Sequence, residues 1–83
     1  MPLSGAAAPA PVAVRLPITL GQFVKLAGLA ATGGEAKQLV GAGLVRVNAG
    51  IETRRGRKLA PGDTVEVQGA AARVVADDGD PRD

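Results

Sequence analysis

The hydrophobic period of this sequence changes near residue 44. Up to that point, apolar residues recur every three or four positions, as they do on one face of an α-helix. Beyond it they alternate with polar residues in short β-branched runs, as they do in strands. Helical segments followed by a run of strands indicate an α+β domain. We therefore predict two packed N-terminal helices followed by a small, mainly antiparallel sheet of short strands.

The starts of the two predicted helices carry the same capping pattern. Thr19 and Gln22 have the spacing of a capping box, and Thr32 and Glu35 repeat that spacing. Glycines that follow each apolar run are expected to end the helices. Because only residues 28–31 separate the two helices, we expect them to pack together as a hairpin.

Four short segments beyond residue 43 have the pattern of strands, and turn-forming residues separate them. The predicted turns are residues 48–50 (NAG), 61–63 (PGD) and 68–69 (QG). The candidate strands are residues 44–47, 51–53, 64–67 and 72–75.

Composition divides the chain into three parts. Residues 1–14 are rich in Ala and Pro and carry no charged side chain, so we expect a disordered arm. Residues 15–75 are expected to form one small folded domain. Residues 76–83 contain four aspartates against one arginine and predict an acidic, disordered tail. The arm lacks the features of a targeting or membrane-spanning segment, so we expect a cytoplasmic monomer that does not bind membranes.

Residue types that are absent exclude several classes of function. The 83 residues include no cysteine and no histidine, and Phe23 is the single aromatic side chain. Disulfides, thiolate nucleophiles and histidine-based catalysis are therefore excluded, and base-stacking aromatic platforms are disfavoured. The acidic residues of the folded region form no recognisable acid–base pair. We expect a protein that is not an enzyme, with no catalytic residue, metal site, cofactor or small-molecule substrate.

Positive charge is concentrated in one short segment. Four of the five residues 54–58, here called the basic loop, are basic (Arg54, Arg55, Arg57 and Lys58). Arginine donates paired hydrogen bonds that match phosphate geometry, and such clusters are typical of nucleic-acid-binding surfaces. A solvated loop that only improves solubility is the alternative. Lys25 and Arg46 are isolated charges, and we interpret them as solvated unless they share a surface with Lys37 and the basic loop.

The start of the second predicted helix has two interpretations. The backbone N–H groups at Thr32, Gly33 and Gly34 can attract a phosphate, with Lys37 one turn further along. The same residues also suit an ordinary helix cap with glycines for close packing. Both interpretations can hold together, because a cap uses only some of the N–H groups.

The ordered set of these motifs resembles the S-four RNA-binding domain, also called the alpha-L motif. The matching segments are residues 32–40 (TGGEAKQLV), 43–48 (GLVRVN) and 62–65 (GDTV), and residues 52–59 (ETRRGRKL) resemble the short stand-alone bacterial members. The resemblance implies two helices packed on a small sheet. It also implies RNA contacts by Thr32, Lys37, Gln38, Asn48, Arg54, Arg55, Arg57 and Lys58.

Two positions depart from the common family pattern. Gly33 stands where a basic residue is usual, although the short stand-alone members share this difference. The usual Asn-Gly turn is replaced by Asn48, Ala49 and Gly50, so the hairpin geometry can differ by one residue. This second departure leaves two roles open for Asn48, which are RNA contact and turn formation.

The function predicted from these residues is RNA binding without catalysis. The expected partner is structured RNA, such as ribosomal RNA or a tRNA-like fold, bound by the folded domain at residues 15–75, and the protein is expected to be ribosome-associated. Contacts to phosphates and recognition of RNA shape would supply the affinity, since side chains for stacking bases are lacking. The alternative is a protein-interaction adaptor that uses the basic loop or a strand edge.

Overall fold

The computed structural model describes residues 8–77, which form a five-stranded sheet and two helices. The elements in chain order are β1 (Ala10–Val14), α1 (Leu20–Leu26), α2 (Gly33–Gly41), β2 (Val45–Val47), β3 (Gly50–Ile51), β4 (Thr64–Val67) and β5 (Ala70–Ala76). The strand order is β1-β5-β4-β2-β3, in which β1 and β5 are parallel and the other pairs are antiparallel. The predicted α+β fold with a mainly antiparallel sheet is confirmed.

Strand β1 is the main departure from the sequence-based expectation. The prediction of a disordered arm over residues 1–14 is wrong for residues 10–14, which pair with β5 from Ala10 opposite Ala72 to Val14 opposite Ala76. Val14 is almost fully buried, so this strand contributes to the core. Its proline is tolerated because β1 lies at the edge of the sheet.

The ends of the predicted arm and tail lie outside the described residues. Nothing in the structure bears on residues 1–7 or 78–83. The predicted tail boundary at residue 76 falls inside β5, which continues to Ala76. The amide of Asp77 then donates to the carbonyl of Val14 at 2.8 Å, so the end of β5 stays attached to β1.

The helix caps follow the predicted pattern with one difference. At α1, the Thr19 hydroxyl accepts from the Gln22 amide at 3.3 Å, and the Gln22 side chain accepts from the Thr19 amide at 3.0 Å. At α2, the Thr32 hydroxyl accepts from the Glu35 amide at 3.0 Å. The Glu35 carboxylate, however, accepts from the Ala31 amide at 2.6 Å, so the second box reaches one residue further back.

One hydrophobic core lies between the helices and one face of the sheet. Alternate residues of β2, β4 and β5 point into it, while the residues between them are largely exposed. The fully buried large side chains are Leu20, Phe23, Val24, Val40, Val45, Val65 and Val74. Among residues 8–77, no helix is long and apolar enough to cross a bilayer.

The β2–β3 hairpin keeps a two-residue turn. Val47 pairs with Gly50, so Asn48 and Ala49 are the two turn residues, with φ values of 51° and 72°. Two positive φ angles are typical of the type I′ turn that suits the twist of a hairpin. Ala49 therefore occupies the position usually held by glycine, and the hairpin is not shifted by one residue.

Candidate nucleic-acid interface

The basic loop is attached to the beginning of α1 by main-chain hydrogen bonds. The amide of Leu20 donates to the carbonyl of Arg57 at 2.8 Å, and the amide of Gly21 donates to the carbonyl of Arg55 at 2.9 Å. Amides in the first turn of a helix have no partner within the helix. The loop satisfies two of them and is thereby fixed against α1.

A buried carboxylate holds the first part of the basic loop. Glu52 is only 7% exposed, and its Oε2 accepts from the backbone amide of Arg54 at 3.0 Å and from Arg54 Nε at 3.1 Å. Its Oε1 accepts from Arg54 Nη2 at 3.3 Å and from Arg57 Nη1 at 3.1 Å. Glu52 thus bridges Arg54 and Arg57, two arginines that the sequence predicted to contact RNA.

These contacts stabilise the ionised form of Glu52. The side-chain hydrogen bond from Arg54, then its backbone amide, and then the hydrogen bond from Arg57 lower the pKa of Glu52 to about 2. Partial burial acts in the opposite direction but is outweighed. The same pairing raises the pKa of Arg54, chiefly through its side-chain hydrogen bond to Glu52. The carboxylate is therefore charged under all ordinary conditions.

The second end of the basic loop is held by a short strand-like contact. Lys58 forms an isolated antiparallel bridge with Thr19, and the amide of Leu59 donates to the carbonyl of Ile18 at 3.0 Å. Leu59 itself is buried in the core. The loop is consequently fixed at both ends, which limits the conformational freedom of the side chains between them.

A groove of about 330 Å³ lies between α1, the start of α2 and the basic loop. Three cations from these three elements line it, namely Lys25, Lys37 and Arg55. Its remaining lining residues are small or uncharged: Thr19, Gly21, Gln22, Gly33 and Gly56. None of the described residues that line it is acidic, so the groove combines positive charge with room for close approach. We call it the basic groove.

The predicted site residues fall into three groups. Lys37 and Arg55 line the basic groove, and Thr32 caps α2 next to the groove residue Gly33. Lys58 is exposed and lies next to the basic groove, because it pairs with the groove residue Thr19. Gln38 is exposed on α2 but does not line the groove.

Arg54 and Arg57 form the second group. Both are paired with Glu52, yet the side chain of Arg54 is still 77% exposed and that of Arg57 35% exposed. Part of each guanidinium therefore remains accessible to a ligand. Their first role is to hold the loop, and Glu52 offsets part of their charge.

Asn48 stands alone in the third group. Its Nδ2 donates to Asp63 Oδ1 at 3.1 Å, and its Oδ1 accepts from the Thr64 amide at 3.0 Å. Asp63 in turn accepts from the Ala60 amide at 2.9 Å through Oδ2. Of the two roles left open by the sequence, these contacts favour turn formation, since they join the β2–β3 turn to the turn before β4.

Helix α1 contributes to the site, although its part was not predicted from the sequence. Lys25 satisfies the condition set for it, because it shares the basic groove with Lys37 and Arg55. Gly21 and Lys25 are four residues apart and so lie on one helix face. That spacing, together with a glycine in the first turn of a helix, was the sequence signal that could have placed Lys25 in the site.

The outer face of the sheet carries a separate set of charges. Arg46 is exposed on β2 and lies opposite Glu66 on β4. Arg73 is exposed on β5, with buried neighbours on both sides. None of these side chains lines the basic groove. Arg46 and Arg73 are therefore positive charges that lie away from the groove and can serve as controls for it.

The chain is similar to known proteins over most of its length. The S4 domain family matches residues 15–75. A probable ribosome maturation protein, RlbA of Bacillus subtilis, is 52% identical over 52 residues, covering 63% of this chain and 73% of that protein. A putative RNA-binding protein, YbcJ of Escherichia coli, is 36% identical over 59 residues, covering 71% and 84%.

The fold is similar to a solved structure as well. The solution structure of YbcJ from E. coli, described as containing an alpha-L motif involved in RNA binding, superimposes with a TM-score of 0.64. The match covers 92% of this chain and 99% of that one at 28% identity. The arrangement of two helices on a small sheet is therefore shared across both proteins.

Proposed function

This chain belongs to the S4 domain family, and we propose that it is a non-catalytic RNA-binding protein whose ligand site is the basic groove. The observation that carries the proposal is the convergence of Lys25, Lys37 and Arg55 from three separate elements on one groove. Isolated surface cations are common on any soluble protein, but cations that converge from distant parts of the chain form a local field that attracts polyanions.

The geometry of the groove suits phosphate groups. Gly33 and Gly56 lack side chains that would keep a phosphate from the backbone, and nothing lies within 4 Å of a Cβ built at either. The N-terminal end of α2 also contributes its positive dipole at Gly33. Arg55 can donate two parallel hydrogen bonds, while the two lysines act as compact charges.

The expected ligand is folded RNA. The described residues offer no aromatic platform, because Phe23 is fully buried, so phosphate contacts and RNA shape supply the affinity. The similarity to a probable ribosome maturation protein supports ribosomal RNA as the first candidate, with a tRNA-like fold as the second. We place the protein in the cytoplasm, acting as a monomer in association with ribosomes or their precursors.

The salt dependence of binding to purified ribosomal RNA tests this proposal. Each phosphate contact contributes a slope of about −0.7 to −0.9 to the plot of log K against log salt concentration. The double variant Lys37→Ala with Arg55→Ala is expected to reduce the slope by about 1.4 to 1.8 and to weaken binding. The matched control, Arg46→Ala with Arg73→Ala, removes the same charge from the outer sheet face.

The outcomes separate RNA binding from other uses of the same charges. A smaller slope in the groove variant alone supports the proposal. Equal effects of the two double variants would mean that RNA is attracted by the overall positive charge and not by the basic groove, which would contradict the proposal. Failure of the wild-type protein to retain ribosomal RNA at low salt would favour the adaptor function, in which the basic loop binds an acidic protein.

A further inference from the structure

A second and larger groove lies next to the basic groove on the exposed face of α1. Its volume is about 590 Å³, and it is lined by Arg15, Pro17, Ile18, Gln22, Lys25 and Leu26. Gln22 and Lys25 line both grooves, so the two are neighbours on α1. We call this second groove the apolar groove, because three of its six lining residues, Pro17, Ile18 and Leu26, are apolar.

The apolar groove combines features that a simple surface hollow lacks. Leu26 is 60% exposed although it is a large hydrophobic residue, and Ile18 is almost fully buried beneath. Arg15 and Lys25 also line it and add two positive charges. An aliphatic surface accompanied by two cations matches a group that has flat apolar faces and carries phosphates.

We propose that the apolar groove receives an unpaired nucleobase of the RNA whose phosphates occupy the basic groove. This inference rests on the proposed function and specifies the ligand further, as a structured RNA with a bulged or unstacked nucleotide. The phosphates that flank such a nucleotide would contact Lys25 on one side and Arg15 on the other. The base would lie between them against Leu26 and Pro17.

The chemistry of Gln22 agrees with this assignment. Its Oε1 is occupied, since it accepts from the Thr19 amide at 3.0 Å. Its Nε2 has no hydrogen-bond partner among residues 8–77. That amide can therefore donate to a carbonyl or ring nitrogen at the base edge. Apolar as well as aromatic side chains pack against extruded bases in other proteins.

Charge complementarity decides between a base and an apolar peptide side chain. An apolar peptide side chain would fill the aliphatic surface but carries no anion for Arg15 and Lys25, whereas every nucleotide carries its own phosphate. The basic groove is its neighbour, so an RNA bound there would lie directly beside the apolar groove. A nucleotide matches both the aliphatic surface, through its base, and the two cations, through its phosphates.

Binding to three matched RNAs tests the inference. The probes are a fully paired stem–loop, the same stem–loop with one bulged nucleotide, and the bulged form with an abasic residue at that position. The abasic probe keeps the extra phosphate and removes only the base. We expect wild-type protein to bind the bulged RNA about fivefold more tightly than either of the others, the change expected from burying roughly 40 Å² of apolar surface.

Two leucine variants locate the effect. Leu26→Ser is expected to remove the preference for the bulged RNA and to leave binding of the paired stem–loop unchanged. Leu44→Ser is the matched control, because Leu44 is 47% exposed and lines neither of these grooves. Unfolding midpoints of both variants establish that they remain folded.

The possible failures are distinguishable. Equal affinity of wild-type protein for all three RNAs overturns the inference, and so does a preference that survives Leu26→Ser. In either case the proposed function stands if Lys37→Ala with Arg55→Ala still weakens binding of the paired stem–loop. If that double variant has no effect on any probe, the proposed function itself fails.

Discussion

The amide of Gly21 donates to the carbonyl of Arg55 at 2.9 Å, and a Cβ atom at Gly21 would lie only 3.3 Å from the Cβ of Arg55. Glycine in the first turn of a helix is otherwise unfavourable. The close approach of the basic loop explains it, because any side chain at this position would meet the loop. The position of Arg55 in the basic groove therefore depends on the absence of a side chain on α1.

Replacing Gly21 tests this dependence. Gly21→Ala is expected to displace the basic loop by a few tenths of an ångström and to weaken RNA binding several-fold. The gain in helix propensity, up to about 1 kcal/mol, should keep the protein folded. Gly41→Ala is the control, because nothing lies within 4 Å of its added Cβ. Affinities from filter binding should fall for Gly21→Ala alone; an equal fall for both would disprove the contact as the cause.

The ion pairs of Glu52 predict a pH-dependent contribution to stability. The pKa of Glu52 is about 2 in the folded protein, against an ordinary value of 4.5. The carboxylate therefore stabilises the folded state above about pH 4.5, and this contribution is lost as the pH falls toward 2. Glu52→Gln should be less stable than wild type at neutral pH, and the difference should shrink in acid.

Urea unfolding across this pH range measures the difference directly. Other carboxylates titrate in both proteins, so their contributions cancel in the comparison. A difference in unfolding free energy that is the same at neutral pH and near pH 2 would contradict the role of the ionised carboxylate.

The β2–β3 turn predicts a stabilising substitution. Ala49 has φ = 72°, a conformation that is unfavourable for any residue with a Cβ. Ala49→Gly is expected to raise the free energy of unfolding by about 0.5–1 kcal/mol, after the greater chain entropy of glycine is subtracted. Gly69 has φ = 88° in the β4–β5 turn, so Gly69→Ala should have the opposite sign. Thermal unfolding that moves in the same direction for both would refute the argument.

Asn48 can be assigned to the turn or to the RNA by one variant. Asn48→Gly keeps a residue suited to φ = 51° and removes the bonds to Asp63 and Thr64. We expect a loss of about 1–2 kcal/mol in unfolding free energy and an unchanged affinity of the folded protein for RNA. A large loss of affinity with unchanged stability would instead identify Asn48 as an RNA contact.

Local signals in the sequence predicted most of the fold. The caps at Thr19 and Thr32 locate both helices, because capping depends on residues only three positions apart. The alternation in β2 and β4 likewise predicts which face is buried. Strand β1 was missed because it pairs in parallel with β5, about sixty residues away. No local sequence pattern, such as a hairpin turn, indicates a pairing over that distance.

The candidate site was predicted less completely, for a related reason. The basic loop was visible as a run of charges, but no spacing rule for a loop predicts that Glu52 binds both Arg54 and Arg57. Lys25 belongs to the basic groove only through the packing of α1 against that loop. Charges assembled from separate elements are a property of the tertiary structure.

Backbone amide chemical shifts during titration with an RNA stem–loop show where the RNA binds, because they report which residues contact the ligand. We expect the largest changes in the basic groove, at Gly21, Lys25, Gly33, Lys37 and Arg55. The outer sheet face around Arg46 and Arg73 should change little. Largest changes on that outer face, with the basic groove unaffected, would show that the RNA does not bind in the groove.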